Sequence, residues 1–218
     1  MQKRLIKNSQ EEFQINLEDL IGSDFLQSTP LSIDSSPSFD TRTIWLNNEV
    51  YPETISPLLQ NIVDINAQDD QESLRFQLQG QTYVRKPIKL YLNSYGGSLY
   101  DGLALVSLIQ QSKTPVHTYT IGKVMSMGFL LSIVATKRYT YPHTTYMYHS
   151  LARQTSGKFA SLVEGVEEAA RLQNKVDVIT LENTFIKKEQ LENIHAKKLD
   201  WYFDAEDALA LGCVDEIL

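Results

Sequence analysis

An α/β fold with largely parallel strands is what this sequence predicts, and three observations carry the prediction. Short apolar runs such as PIKLYLN (87–93) and PVHTYTIG (115–122) have the character of buried strands. Stretches with apolar residues at helical spacing alternate with them, LYDGLALVSLIQQSK (99–113) among them. The length of 218 residues suits one sizeable domain and is short for two. Strands that alternate with helices are joined by crossovers, and crossovers make parallel sheets.

The elements follow in order. Residues 1–41 contain QSTPLSIDSSPSFDT, whose Ser, Pro and Asp favour turns over a packed element. They read as a linker or arm, either mobile or ordered only against a partner subunit, and the folded domain is expected at 42–218. TIWL (43–46) begins it as a short strand. SPLLQNIVDINAQ (56–68) reads as a helix, with Leu58, Leu59, Ile62, Val63 and Ile65 near one face. The polar segment 68–86 interrupts. Leu74, Phe76 and Leu78 alternate before Gly80, and Tyr83 follows it, which predicts an inserted β-hairpin. The strand at 87–93 leaves through the tight SYGGS step into the helix at 99–113, whose inner face holds Leu103, Val106 and Ile109. After the strand at 115–122, residues 126–135 predict a largely buried helix. RYTYP and TTYMYH predict short strands. A long helix is expected from about Lys158 to Asn183, with Phe159, Leu162, Val163 and Val166 on its early face. EQLENIHAKK predicts a short helix. DAEDALALGCVDEIL predicts a last helix and a terminal strand, with Gly212 just past the helix end.

Composition narrows the function classes. The chain is 42% hydrophobic and 22% charged, ordinary for a soluble globular protein. A net charge of −7 argues against nonspecific nucleic-acid binding, which needs a basic surface. Cys213 is the sole cysteine, so no intramolecular disulfide forms, and the histidines at 117, 143, 149 and 195 lack metal-ligand spacing. No metal site is expected. GFLLSIVA is far too short to span a bilayer, and the start lacks the apolar stretch of a secretory signal. A soluble, cytoplasmic protein is the expectation, with no membrane partner.

Three features stand out as chemistry. NSYGGS (93–98) sets a glycine pair at a strand-to-helix junction, either a plain tight turn or a place where backbone N–H groups meet an anion. Ser126 in GKVMSMGFLL stands where a helix starts, either as its cap or as a nucleophile beside free N–H groups. It lacks the GxSxG elbow, since Val124 precedes it by two. His149 ends a strand-like run and reads as a base or as a satisfied polar residue at a core edge. Asp200 is one acid among Asp204, Asp207 and Asp215, and nothing local separates them.

The order of these segments resembles the proteolytic subunit of Clp protease, the ClpP family of serine peptidases. LYLNSYGGSLYDGLAL resembles the family's glycine-rich segment, TIGKVMSMGFLL its nucleophile segment, TYMYHS its histidine segment, and DWYFDAEDALALGCVDEIL its C-terminal block. The resemblance runs from about Thr43 to Leu218. It implies a crotonase-like spiral of βα units, with a helix projecting from about 158–195. It implies Ser126 as nucleophile, His149 as general base and Asp200 as third member of a triad. Gly97 and Met127 match the positions whose amides form the oxyanion hole, and Gly96 and Ser98, on either side of Gly97, are the substrate-binding candidates. It further implies a homo-oligomer of two stacked heptameric rings around a chamber. Polypeptide substrates would be fed by a separate AAA+ unfoldase that uses the ATP, with no cofactor in this chain.

This sequence departs from the family in several places. Tyr95 stands where proline usually precedes the glycine pair, so φ is not fixed there. The 23-residue interval from Ser126 to His149 is slightly short. Residues 68–86 look inserted, and the first forty residues do not resemble the usual N-terminal segment. Tyr95 and the arm motivate a second reading, a catalytically silent ring subunit that modulates an active paralogue. An acyl-CoA enzyme on the related crotonase scaffold is a third, ranked below both because it has no need of the Ser/His/Asp set.

Overall fold

Residues Ile88–Ser94 alternate between buried and half-buried along their whole length, the period-two pattern of a strand with one face in the core. They form β2 of a computed structural model that describes residues 41–151 and 159–218; the arm expected at 1–41 lies outside the described residues except at its last position. The other elements are β1 (Thr43–Leu46), α1 (Pro52–Leu78), α2 (Leu99–Gln111), β3 (Val116–Met125), α3 (Met127–Ile133), β4 (Lys137–Thr140) and β5 (Thr145–Tyr148), followed by α4 (Phe159–Asn183), α5 (Lys188–Lys197), β6 (Trp201–Phe203), α6 (Ala205–Ala210) and β7 (Glu216–Ile217).

Parallel pairing runs in the order β1-β2-β3-β4-β7. The α/β fold with a parallel sheet is therefore as the sequence predicts. β3 is the pivot. Its His117–Thr120 stretch pairs with β4, and its Lys123–Met125 stretch pairs with β5. Between them the register against β2 slips, from Leu92 opposite Thr120 to Ser94 opposite Val124. Gly122 sits in this bulge at φ 63, and an added Cβ would come within 2.9 Å of Asn93 Oδ1. A bulge bends its strand and re-aims the residues beyond it. Here it turns the end of β3 towards β5, and the candidate site is built at that end.

Leu90 and Leu92 of β2 share one buried cluster with Ile55, Leu58, Ile62 and Ile65 of α1 and with Leu105, Val106 and Ile109 of α2. The i, i+3, i+7, i+10 spacing in α1 is the stripe of a helix lying on a core. Fully burying a side chain of this size contributes roughly 1.5–3 kcal/mol. On alternate positions of the strands, Trp45, Tyr91, Tyr119 and Tyr139 stand in cross-strand register. Their rings stack at centroid distances of 4.2, 4.9 and 4.8 Å. Such pairs add about 0.5–1.5 kcal/mol each beyond their burial.

One expectation needs correction. Residues 68–86 do not form a hairpin. Helix α1 continues to Leu78, turns at Gly80 (φ 69), and the chain returns without strand pairing. The alternation that suggests a strand is solvent-facing in part: Leu74 is 58% exposed and Leu78 81%. The segment is fixed by polar contacts. The buried Asp69 carboxylate accepts from Arg42, from Tyr83 Oη at 2.6 Å and from Thr114 Oγ1 at 2.6 Å, while Asp70 pairs with Arg85 and with Lys113. The early face of α4 is partly open to solvent: Val163 and Val166 are 41% and 64% exposed, whereas Leu172 further along the helix is buried. The side chain of Phe159 lies outside the described residues.

β6 is an element the sequence does not predict. Three residues are too few to show a period, yet its antiparallel pairing with β5 sets Trp201 opposite Tyr148. One step further along that register lie His149 and Asp200.

Candidate active site

Ser126 joins β3 to α3 with φ 53 and ψ −120. A positive φ in a residue with a side chain costs of the order of 1–3 kcal/mol and persists only where the surroundings impose it. Here the Ser126 N–H donates to Met147 O at 2.8 Å, and Ser126 O accepts from Leu130 N at 3.2 Å. The hydroxyl does not cap the helix. It meets His149 Nε2 at 2.8 Å instead. The Ser126 hydroxyl is thus engaged with the imidazole and not with the start of α3.

His149 follows the last residue of β5, and its side chain is 26% exposed. Its Nδ1 faces Asp200 Oδ1 at 3.7 Å. That distance suits an attraction between charges and is too long for a hydrogen bond. Asp200 is 58% exposed, so solvent screens much of this pairing. The three side chains named from the sequence nonetheless converge, brought together by the β3 bulge and the short β5–β6 pair.

The glycine pair borders the same place. Gly96 and Gly97 have φ 98 and φ 142. A Cβ at Gly96 would stand 2.8 Å from Ser126 Cβ and 2.9 Å from Met127 N, and one at Gly97 would stand 2.5 Å from Val50 O. Val50 N donates to Gly96 O, and Ser98 N donates to Val50 O, both at 2.7 Å. These bonds hold the glycine turn against the β1–α1 loop. The Gly97 and Met127 amides donate to no other group among the described residues. Ser98 caps α2, its hydroxyl accepting from Asp101 N at 3.5 Å. Tyr95 is exposed, with Lys123 Nζ 4.5 Å from its ring centroid.

A small cleft opens beside Ser126 and His149, lined also by Gly97, Met127, Leu99, Phe129, Leu130 and Val176. Its walls are mostly apolar, as in pockets that take an apolar group and fix it with a few polar ones. Sequence reasoning missed a second polar cluster next to it. His195 lies between Ser150 and Asp177, and Asp177 also meets Tyr148 and Gln173. Only the folded chain brings α4 and α5 to the end of β5, so no local pattern announces it. Among the described residues no group of three or more His, Cys, Asp or Glu side chains is placed to hold a metal ion. No helix among them is long and apolar enough to cross a membrane.

A serine hydroxyl thus meets an imidazole on a strand-to-helix turn of a parallel α/β sheet and next to an apolar cleft, an arrangement whose chemistry suits hydrolysis through the serine. The particular family follows from comparison. This chain belongs to the Clp protease family, whose profile matches residues 33–218. It is similar to ATP-dependent Clp protease proteolytic subunit 3 of Synechococcus sp. (strain CC9902), with 29% identity over 180 residues that cover 81% of this chain and 82% of that one. Fold and family are those of a ClpP-type peptidase.

Proposed function

We propose that this chain is a serine endopeptidase, the proteolytic subunit of an ATP-dependent Clp-type protease. The observation that carries the reading is the 2.8 Å contact of Ser126 Oγ with His149 Nε2 at a backbone turn held in a strained conformation. A serine hydroxyl is a weak nucleophile until a base removes its proton. Neutral His149 takes that proton at Nε2 as Oγ attacks the scissile carbonyl, then returns it to the leaving amine. Water repeats the cycle on the acyl-enzyme and releases Ser126. Asp200 keeps the Nδ1–H tautomer and stabilises the imidazolium. The Gly97 and Met127 amides receive the oxyanion; one such donor is worth about 10²–10³ in rate.

The substrate lies as an added strand along the Ser94–Ser98 edge, with Gly96 and Ser98 in its path, and main-chain bonding makes recognition tolerant of sequence. The apolar cleft receives the side chain at the cleaved bond. Two stacked heptameric rings enclose the sites in a chamber, which restricts access to unfolded chains and short peptides. A separate AAA+ unfoldase uses the ATP, and hydrolysis itself uses no cofactor. The buried thiol of Cys213 suits the reducing cytoplasm.

A fluorophosphonate probe tests the reading. Labelling of the assembled protein at Ser126, abolished by Ser126→Ala, is the expected result. Folded, assembled protein that neither takes the label nor cleaves a fluorogenic peptide would instead fit a silent ring subunit.

A further inference from the structure

We infer that Asp177, His195 and Ser150 form a second hydrogen-bonded relay, which positions His149 over Ser126. The inference rests on the peptidase reading above. Asp177 on α4 is the hub. Its carboxylate accepts from Tyr148 Oη at 2.6 Å and from Gln173 Nε2 at 2.8 Å, and His195 Nε2 of α5 reaches its two oxygens at 3.2 and 3.1 Å. His195 Nδ1 meets Ser150 Oγ at 2.8 Å. Gln173 also accepts the Leu151 N–H through Oε1 at 2.6 Å.

These contacts bracket one residue. Tyr148 precedes His149, and Ser150 and Leu151 follow it. All three are tied to α4 or α5, while Ser126 is tied to β5 through Met147 O. The imidazole and the hydroxyl therefore keep their distance only while the end of β5 stays docked on both helices. Asp200 is poorly suited to do this alone, at 3.7 Å and 58% exposed. The relay is better shielded: the side chains of His195 and Asp177 are 24% and 22% exposed. Burial, reinforced by the neighbouring Asp177 carboxylate, raises the Tyr148 phenol far above its ordinary range, so it remains a donor. Networks in which every member is satisfied hold their parts rigidly.

The chemistry sets the direction of each bond. An ionised Asp177 only accepts, so His195 Nε2 carries a proton. In neutral His195, Nδ1 is then the acceptor and Ser150 Oγ–H the donor. Ser150 is not among the residues lining the apolar cleft. It is a positioning residue and not a second nucleophile, and so are His195 and Asp177.

The test uses the full-length assembled protein and a short fluorogenic peptide. His195→Ala is expected to lower kcat about 10- to 100-fold, the cost of displacing a reacting group by roughly 1 Å, with KM changed less than about threefold. Ser150→Ala is expected to lower kcat by about 3- to 10-fold. His195→Gln supplies an amide N–H for Asp177 and an oxygen for Ser150, and recovers kcat to within about threefold of the unaltered protein. A protein that is merely destabilised would shift its melting temperature without this split and without the rescue. Should His195→Ala fail to fold, Ser150→Ala, which removes one oxygen atom, decides. Unaltered kcat in folded His195→Ala or Ser150→Ala, or a loss confined to KM, overturns the relay while leaving the peptidase reading intact. No cleavage and no fluorophosphonate labelling in the unaltered protein would sink both.

Discussion

Asp69 and Asp200 are both carboxylates beside a cationic or ionisable partner, and their surroundings could hardly differ more. Asp69, at the junction of α1 with the returning strap, has no exposed side-chain surface and accepts from Arg42, Tyr83 and Thr114. Asp200, at the start of β6, is 58% exposed and faces His149 at 3.7 Å. The first is saturated. Burying a charge is tolerable only with full hydrogen bonding, and that is what Asp69 has. The second keeps capacity in reserve. A carboxylate that is to stabilise a charge appearing on its neighbour gains from not being committed elsewhere. Asp177 stands between the two, with three side-chain partners and 22% exposure, which fits a hub that positions without reacting. Under the proposed peptidase reading, the contrast separates groups that hold the fold from groups that wait for a reaction, and it can be tested at both ends.

The largest effect is expected at the reactive end. His149→Ala removes the group that contacts Ser126 and should lower kcat for a short peptide by about 10⁴-fold or more, with the melting temperature almost unchanged. The check is steady-state kinetics beside a thermal melt. A folded His149→Ala protein with near-normal kcat would break the comparison outright, since the site would then not depend on its own proton carrier.

A smaller loss is expected for Asp200→Asn. General acid–base contributions span about 10²–10⁴, and an exposed partner beyond hydrogen-bond distance belongs at or below the lower end, about 10- to 100-fold in kcat. Measured together with His195→Ala, this variant sharpens the contrast. If both groups orient one imidazole, the two substitutions will not act independently, and the double variant will lose less than the product of the single losses. Independent losses would place the two groups in separate roles.

Much of this was legible in the sequence, for physical reasons. β2 and β3 are apolar runs of strand length between helical stretches, so the parallel α/β class followed. Ser126, His149 and Asp200 emerge as candidates from the order of four segments, not from local spacing, because nothing near Asp200 distinguishes it from Asp204, Asp207 or Asp215. What fixes Asp200 is β6, and a three-residue strand shows no period to read. The helix through 68–78 was hidden because Leu74, Phe76 and Leu78 alternate as a strand would. The contacts that hold it, Arg42 and Thr114 on Asp69, come from 27 and 45 residues away in the chain. The relay through His195 escaped for the same reason, since Ser150 and His195 are 45 residues apart. Period reveals elements, but long-range polar pairing shows only in the fold.

The saturated end of the comparison gives the smallest effect on activity and a distinct signature in stability. Burial by itself would raise the Asp69 carboxyl, yet hydrogen bonds from Arg42, Thr114 and Tyr83 and the Arg42 charge outweigh it, and the group falls from its ordinary 3.8 to about 2. A carboxyl depressed in the folded state stabilises that state while it is ionised. The contribution is therefore complete above about pH 4 and fades as pH falls towards 2, and it is worth about 2 kcal/mol. Asp69→Asn should lose about that much at pH 7, seen as a lower denaturation midpoint, and should flatten the acid limb of the stability profile between pH 4 and 2. Peptide kcat at pH 7 should change less than about threefold, because the junction lies outside the cleft. A large fall in kcat with stability unchanged would reverse the assignment of Asp69 to the fold, and with it the rule that saturated carboxylates in this protein are structural.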